Sequence, residues 1–156
     1  MQIHSLGLDD FHEDEYSLIG IHTTLEDFKL AYLLNKNLST NFRKLKNELT
    51  IEIQQVKASF STFKFENINY DFDWYLIANS TKTENLTTSS QLLLTTETKT
   101  FLIPEKKKID YFIKFSGEIE TSFIANIIKK IKSIDQIITT YSIDKNTLKS
   151  KDFLIF

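Results

Sequence analysis

Asp71 and Asp73 stand two residues apart in a segment where Tyr70, Phe72, Trp74 and Leu76 alternate with Asp71, Asp73, Tyr75 and Ile77. An extended strand would put both carboxylates on one face, about 7 Å apart. Paired carboxylates at such separations can perform acid–base chemistry. The same pattern also describes the solvent face of an ordinary strand, and no third group at a defined spacing supports catalysis. A second cluster lies near the N-terminus: His4, Asp9, Asp10, His12, Glu13, Asp14, Glu15 and His22. These are metal-ligand types, but their spacing is irregular and lacks the His-x-x-x-His of a helical site. A solubilising acidic arm, or an electrostatic contact with a partner, explains them as well.

Other chemistries are excluded by composition. The chain has no cysteine, which removes disulfides, thiolate nucleophiles and cysteine-ligated metal centres together. With 3 glycines among 156 residues, Gly-rich phosphate loops are disfavoured, and no Walker loop, Gly-x-Ser-x-Gly or His-Glu-x-x-His occurs. No cofactor is expected. Net charge is −2, so no global field calls for nucleic acid. Charge is nonetheless uneven. Residues 1–35 carry seven acids against one lysine, whereas residues 105–156 carry ten lysines against seven acids. Arg43 is the single arginine, and bidentate base reading favours arginine over lysine.

Phe60, Phe63, Phe65, Tyr70, Phe72 and Trp74 fall on neighbouring extended segments. Aromatics on a sheet face near lysines can stack on single-stranded bases. They can equally fill the core of a small sheet, and the glycine-containing consensus of an RNA-recognition sheet is absent.

The run Leu102-Ile103-Pro104-Glu105-Lys106-Lys107-Lys108-Ile109-Asp110-Tyr111 contains the only proline. Pro104 sits where a type I turn wants it, at the second position with Ile103 as the first. The run resembles the defining motif of a small uncharacterised bacterial family named for the pattern Ile-Pro-Glu, any three residues, Val-Asp-Tyr. Ile103, Pro104, Glu105, Asp110 and Tyr111 match, and Ile109 replaces the valine. The resemblance implies no activity, because that family is named for its letters. It marks Pro104, Glu105, Asp110 and Tyr111 as candidate binding residues. Two readings of them stay open. One is a recognition hairpin tipped by Lys106, Lys107 and Lys108. The other is a proline-initiated turn in which Asp110 satisfies loop amides and Tyr111 packs in the core.

The elements that would carry these residues follow from periodicity. Glu15 to His22 reads as a strand. Thr24 with Asp27 resembles a capping box opening a helix from about Leu25 to Asn37. Leu49 to Ile53 alternates as a strand. Phe60–Glu66 and Tyr70–Ile77 read as a hairpin around Asn67-Ile68-Asn69. Asn79 to Ser90, rich in Asn, Thr and Ser, reads as a loop. Gln91–Leu94 and Thr100–Ile103 read as a strand pair or one bulged strand. The Pro104 turn then leads into a strand over Ile109–Phe115 as a hairpin. Ser116-Gly117-Glu118 is expected to open a helix with an apolar stripe of Ile119, Phe123, Ile127, Ile131 and Ile134. Ile137–Tyr141 is β-branched and reads as a strand. The apolar Phe153-Leu154-Ile155-Phe156 tail is expected to dock on the body or on a partner.

This order predicts one α+β domain over 1–156, with a mainly antiparallel sheet built from hairpins, two helices packed on one face, and 1–14 as a flexible acidic arm. No signal region or membrane-length apolar run is present, so a soluble cytoplasmic protein is expected, with no membrane partner. The leading functional expectation is a non-enzymatic interaction module for a protein partner or a second copy of itself. The alternatives are single-stranded RNA binding, and a small-molecule or enzymatic site that the motifs do not reveal.

Overall fold

In the computed structural model, residues 15–53, 55–89, 92–117 and 119–156 are described. The acidic segment 1–14, with His4, Asp9, Asp10, His12, Glu13 and Asp14, lies outside them. The architecture is α+β, with two helices and a mainly antiparallel set of strands. The strands are β1 (Tyr16–Thr23), β2 (Arg43–Lys44), β3 (Leu49–Ile53), β4 (Val56–Phe60), β5 (Thr62–Phe65), β6 (Trp74–Ala78), β7 (Ser80–Ser89), β8 (Leu92–Phe101), β9 (Tyr111–Ser116) and β10 (Ile137–Ile143). The helices are α1 (Asp27–Leu38) and α2 (Thr121–Lys132).

Six strands form the main sheet in the order β10-β1-β9-β6-β5-β2, every neighbouring pair antiparallel. The β3–β4 and β7–β8 ribbons stand apart from it. One face of the main sheet presents Ile19 and Ile21 of β1, Phe63 and Phe65 of β5, Trp74 and Leu76 of β6, and Ile113 and Phe115 of β9. Both helices pack there, α1 through Leu30, Ala31, Leu34 and Leu38 and α2 through Ile124, Ile127 and Ile131. The α2 spacing follows the apolar stripe seen in the sequence, whereas α1 leaves Phe28 and Tyr32, which share a helical spacing with Leu25, exposed. The opposite face presents Tyr16, Leu18, Ile77, Phe112 and Ile143, covered by Ile51, Ala58 and Phe60 of the β3–β4 ribbon, by Leu102, Ile103 and Ile109, and by Leu148 and Leu154. Burial on both faces explains why β1 and β9 are nearly continuous apolar runs and not alternating ones.

Several expectations need correction. Asn79 to Ser90 is not a loop: Ser80–Ser89 is β7, paired residue for residue with β8 in one unbroken antiparallel ribbon. Its threonines are β-branched and suit an extended backbone, and this outweighs the loop-like polarity of the segment. The Pro104 segment is not a hairpin tip. β8 pairs with β7, whereas β9 lies between β1 and β6, so the segment is a connector from the ribbon into the centre of the sheet. Tyr70 and Phe72 precede β6, and Asp71 and Asp73 sit with them in the turn region, not on a strand. Asn67 builds that turn, its Oδ1 accepting from the Asn69 amide at 2.8 Å and its carbonyl from the Tyr70 amide at 3.0 Å.

The capping box does not form. Glu26 is the N-cap of α1 and makes no side-chain cap bond. The Asp27 carboxylate accepts instead from the Phe28 amide (2.8 Å) and the Ser61 hydroxyl (2.6 Å) and pairs with Lys44 at 3.6 Å. Before α2, Ser116 still belongs to β9, and Gly117 adopts φ +120°, a conformation that side chains rarely take. Helix α2 therefore starts at Thr121.

The tail docks on the body of this chain. Leu154 is fully buried, and the Phe156 ring meets Tyr75 edge-on at 4.9 Å. Beneath it lies Lys114 of β9, buried to 3% exposure. Its ammonium sits 3.7 Å from the Phe156 ring centroid and 5.4 Å from those of Tyr16 and Tyr75. The ammonium also donates to the Phe156 main-chain oxygen at 3.5 Å, and no Asp or Glu side chain among the described residues pairs with it. Burial pulls the lysine down to about 8.

Candidate functional site

The connector from Leu102 to Tyr111 is held from all sides. The Lys106 amide donates to the Ile103 carbonyl at 3.0 Å. This is the four-residue turn expected of Pro104 at its second position, and it runs as a short 3-10 turn over Pro104–Lys106. A second turn follows, the Ile109 amide donating to the Lys106 carbonyl at 3.0 Å.

Asn79, fully buried between β6 and β7, is the post around which this double turn winds. Its Nδ2 donates to the carbonyls of Lys106 (2.9 Å) and Ile109 (2.8 Å), and its Oδ1 accepts from the Ile103 amide at 2.8 Å. Its backbone adds two more bonds, donating to the Asp110 carbonyl at 2.9 Å and accepting from the Leu102 amide at 2.8 Å. A single carboxamide thus satisfies a backbone that has no strand partner.

The polar ends of the motif residues tie the turn to three other elements. Asp110 Oδ2 accepts from the Thr23 amide at the end of β1 (2.9 Å). The Tyr111 hydroxyl donates to the Leu25 carbonyl ahead of α1 (2.8 Å). Burial, together with the carboxylates of Asp27, Asp110 and Glu26, pushes the Tyr111 phenol up to about 12. Glu105 reaches the C-terminal segment, accepting from the Ser150 amide (2.7 Å) and hydroxyl (3.1 Å). Burial alone would raise its carboxyl. The bonds from its own amide, from Ser150 and from the Lys149 amide outweigh that and hold it below the usual value.

Outside this anchored turn lies a concavity of about 420 Å³, lined by His22, Pro104, Glu105, Lys106, Lys107, Lys108, Ile109 and Tyr141. His22 and Tyr141 come from neighbouring strands, His22 Nε2 lying 2.9 Å from the Tyr141 hydroxyl with the rings 5.5 Å apart. Burial pushes the Tyr141 phenol upward. Lys106, Lys107 and Lys108 have no carboxylate within ion-pair distance among the described residues. Lys44 and Lys64 at the other end of the sheet do, pairing with Asp27 and Glu48 and with Glu66 and Asp73. The one carboxylate on the rim, Glu105, is already engaged with Ser150. The basin is therefore lined by three lysines and an imidazole–phenol pair, an arrangement suited to hold negative charge.

Of the four residues marked by the motif, Pro104 and Glu105 line the basin, and Asp110 and Tyr111 anchor the turn behind it. His22 and Tyr141 are the residues that sequence reasoning did not place here. They are 119 residues apart, and only the β1–β10 pairing brings them together. Phe60, Phe63, Phe65 and Trp74 are buried core residues, so they present no stacking platform. Around Trp74 the rings of Phe42, Phe65, Phe72, Phe115 and Phe123 lie within 4.8–6.2 Å. Among the described residues no helix is long and apolar enough to cross a membrane. Comparison with family models, with curated proteins and with solved structures finds no match to this chain.

Proposed function

We propose that the protein is a non-enzymatic interaction module that captures an extended segment of a protein partner as an added strand on β10. The observation that carries this reading is the contrast between the two edges of the main sheet. At one edge β2 is two residues long, Arg43 and Lys44, the short charged edge by which proteins avoid unwanted pairing. At the other, β10 spans seven residues without a charge or a proline. Among the described residues no strand lies beyond it. Ile138 stands at a register shift, and Thr139 to Ile143 then keep continuous register with β1. Such an edge offers a row of main-chain donors and acceptors, and strand addition uses that row for affinity. Ile138, 70% exposed, and Tyr141, 39% exposed, add side-chain contact beside it. The β7–β8 ribbon also has outer edges, but Lys82, Glu84, Glu97 and Lys99 lie along it.

The test is selection of binding peptides from a random library against the full chain, with amide hydrogen exchange read in the free and bound states. Strand addition predicts that β10 amides which exchange quickly in the free protein become protected. It also predicts that Thr139→Lys leaves folding intact and weakens binding at least tenfold. Peptides that bind with no change at β10 would refute the reading.

A further inference from the structure

The basin beside the Pro104 turn lies against the same edge. His22, Gly20 and Leu18 alternate along β1 on the face opposite the helices, and their cross-strand partners are Thr139, Tyr141 and Ile143. A strand added outside β10 would run about 4.8 Å further out. Every second side chain of it would project on this face, beside Tyr141 and in front of Lys106, Lys107 and Lys108. Main-chain pairing gives affinity in strand addition, and the pockets that receive alternate side chains give specificity.

We infer that this basin is an oxyanion site, taking a carboxylate or phosphoryl group carried by the segment that pairs with β10. The inference rests on the strand-addition reading and names the chemistry of the partner. Three independent features converge on negative charge. The lysines lack acidic partners among the described residues. The rim carboxylate of Glu105 is turned onto Ser150 and is already satisfied by donors. The His22–Tyr141 pair supplies a further polar group opposite the lysines, 2.9 Å between Nε2 and hydroxyl. The lysine side chains sit on a connector fixed by Asn79, so the charges are presented by a rigid support and not by a free loop. The Lys107 ammonium lies 5.7 Å from the centroid of the Phe101 ring.

The experiment uses the full chain and three probes: a seven-residue peptide of alternating threonine and glutamate, the same peptide with glutamine for glutamate, and inorganic phosphate. Binding is followed by amide chemical shifts and by affinity at low and high salt. The glutamate peptide is expected to bind about tenfold more tightly than the glutamine peptide, and to lose that advantage at high salt. It is also expected to lose it in a Lys106→Gln/Lys107→Gln/Lys108→Gln variant, whose substitutions lie at the surface. Tyr141→Phe, which removes the hydroxyl facing His22, should reduce the preference without abolishing peptide binding.

The outcomes separate the two proposals. Equal binding of both peptides through β10, unchanged in the lysine variant, would overturn the oxyanion site and leave strand addition standing. Phosphate shifts at His22 and Lys106–Lys108 that vanish in the lysine variant, with no peptide at β10, would support the oxyanion site and overturn strand addition. Absence of any response to all three probes would overturn both.

Discussion

At the scale of single residues, Asn79 carries more of the connector than any residue in the Ile-Pro-Glu motif. Truncating it would leave the carbonyls of Lys106 and Ile109 and the amide of Ile103 unpaired in a buried place. Each such group costs about 1–3 kcal/mol, so Asn79→Ala is expected to destabilise by roughly 3–5 kcal/mol in urea unfolding. A loss below about 1 kcal/mol would show that water or a relaxed turn replaces those bonds. The turn itself was legible: a lone proline after an apolar residue predicts the Ile103–Lys106 bond that forms. The role of Asn79 was not, because the polarity that suits a buried carboxamide also suits a loop. Asp71 and Asp73 teach the reverse lesson. Their alternation with aromatics looked like a strand, but Asn67 turns the chain at Tyr70 and β6 begins only at Trp74.

At the scale of elements, the close approach of the connector to β1 depends on Gly20. A Cβ there would meet Ile143 Cδ1 at 2.8 Å and Ile109 Cδ1 at 3.0 Å. Both atoms are ends of side chains and can shift. Gly20→Ala is therefore expected to cost about 1 kcal/mol, overpacking being partly offset by a stiffer unfolded chain. Because Ile109 lines the basin, the substitution should also move the amide signals of Lys106–Ile109, and unchanged signals there would contradict the packing argument. The strands β1, β5, β6 and β9 and both helices were visible as periodic patterns, and β10 as a β-branched run. β7 was missed because its residues alternate weakly in hydrophobicity and it pairs with no strand of the main sheet, whereas extended structure was read at both ends of the strand that forms β8. A strand stabilised mainly by its partner strand writes little of itself into its own side chains.

At the scale of the whole molecule, Lys114 ties stability to pH. Burial sets its native value at about 8, whereas an unfolded lysine titrates near about 10.4. Between those values the unfolded chain binds the additional proton, so stability rises with pH across this window. Tyr111 acts at the upper end. Its native value is about 12 against about 10 when unfolded, so the native state keeps the proton and its contribution is lost as pH rises through that range. Lys114→Met should flatten the rise between pH 8 and about 10.4. It should be more stable than the parent at pH 7 by on the order of 1 kcal/mol, a figure that allows for solvent screening of the ammonium. Thermal unfolding across pH tests this, and an unchanged slope would mean that Lys114 is not the titrating group. The sequence by itself determined the α+β class, the apolar stripe of α2 and the proline turn, because these depend on local period and on the fixed φ of proline. Only the tertiary structure decided that both sheet faces are covered, that Asp110 and Tyr111 bond back onto the body while Glu105 bonds Ser150, and that His22 meets Tyr141 beside Lys106, Lys107 and Lys108. The physical reason is separation along the chain. Strand order is set by which faces bury together over a hundred residues or more, and no window of local pattern contains that information.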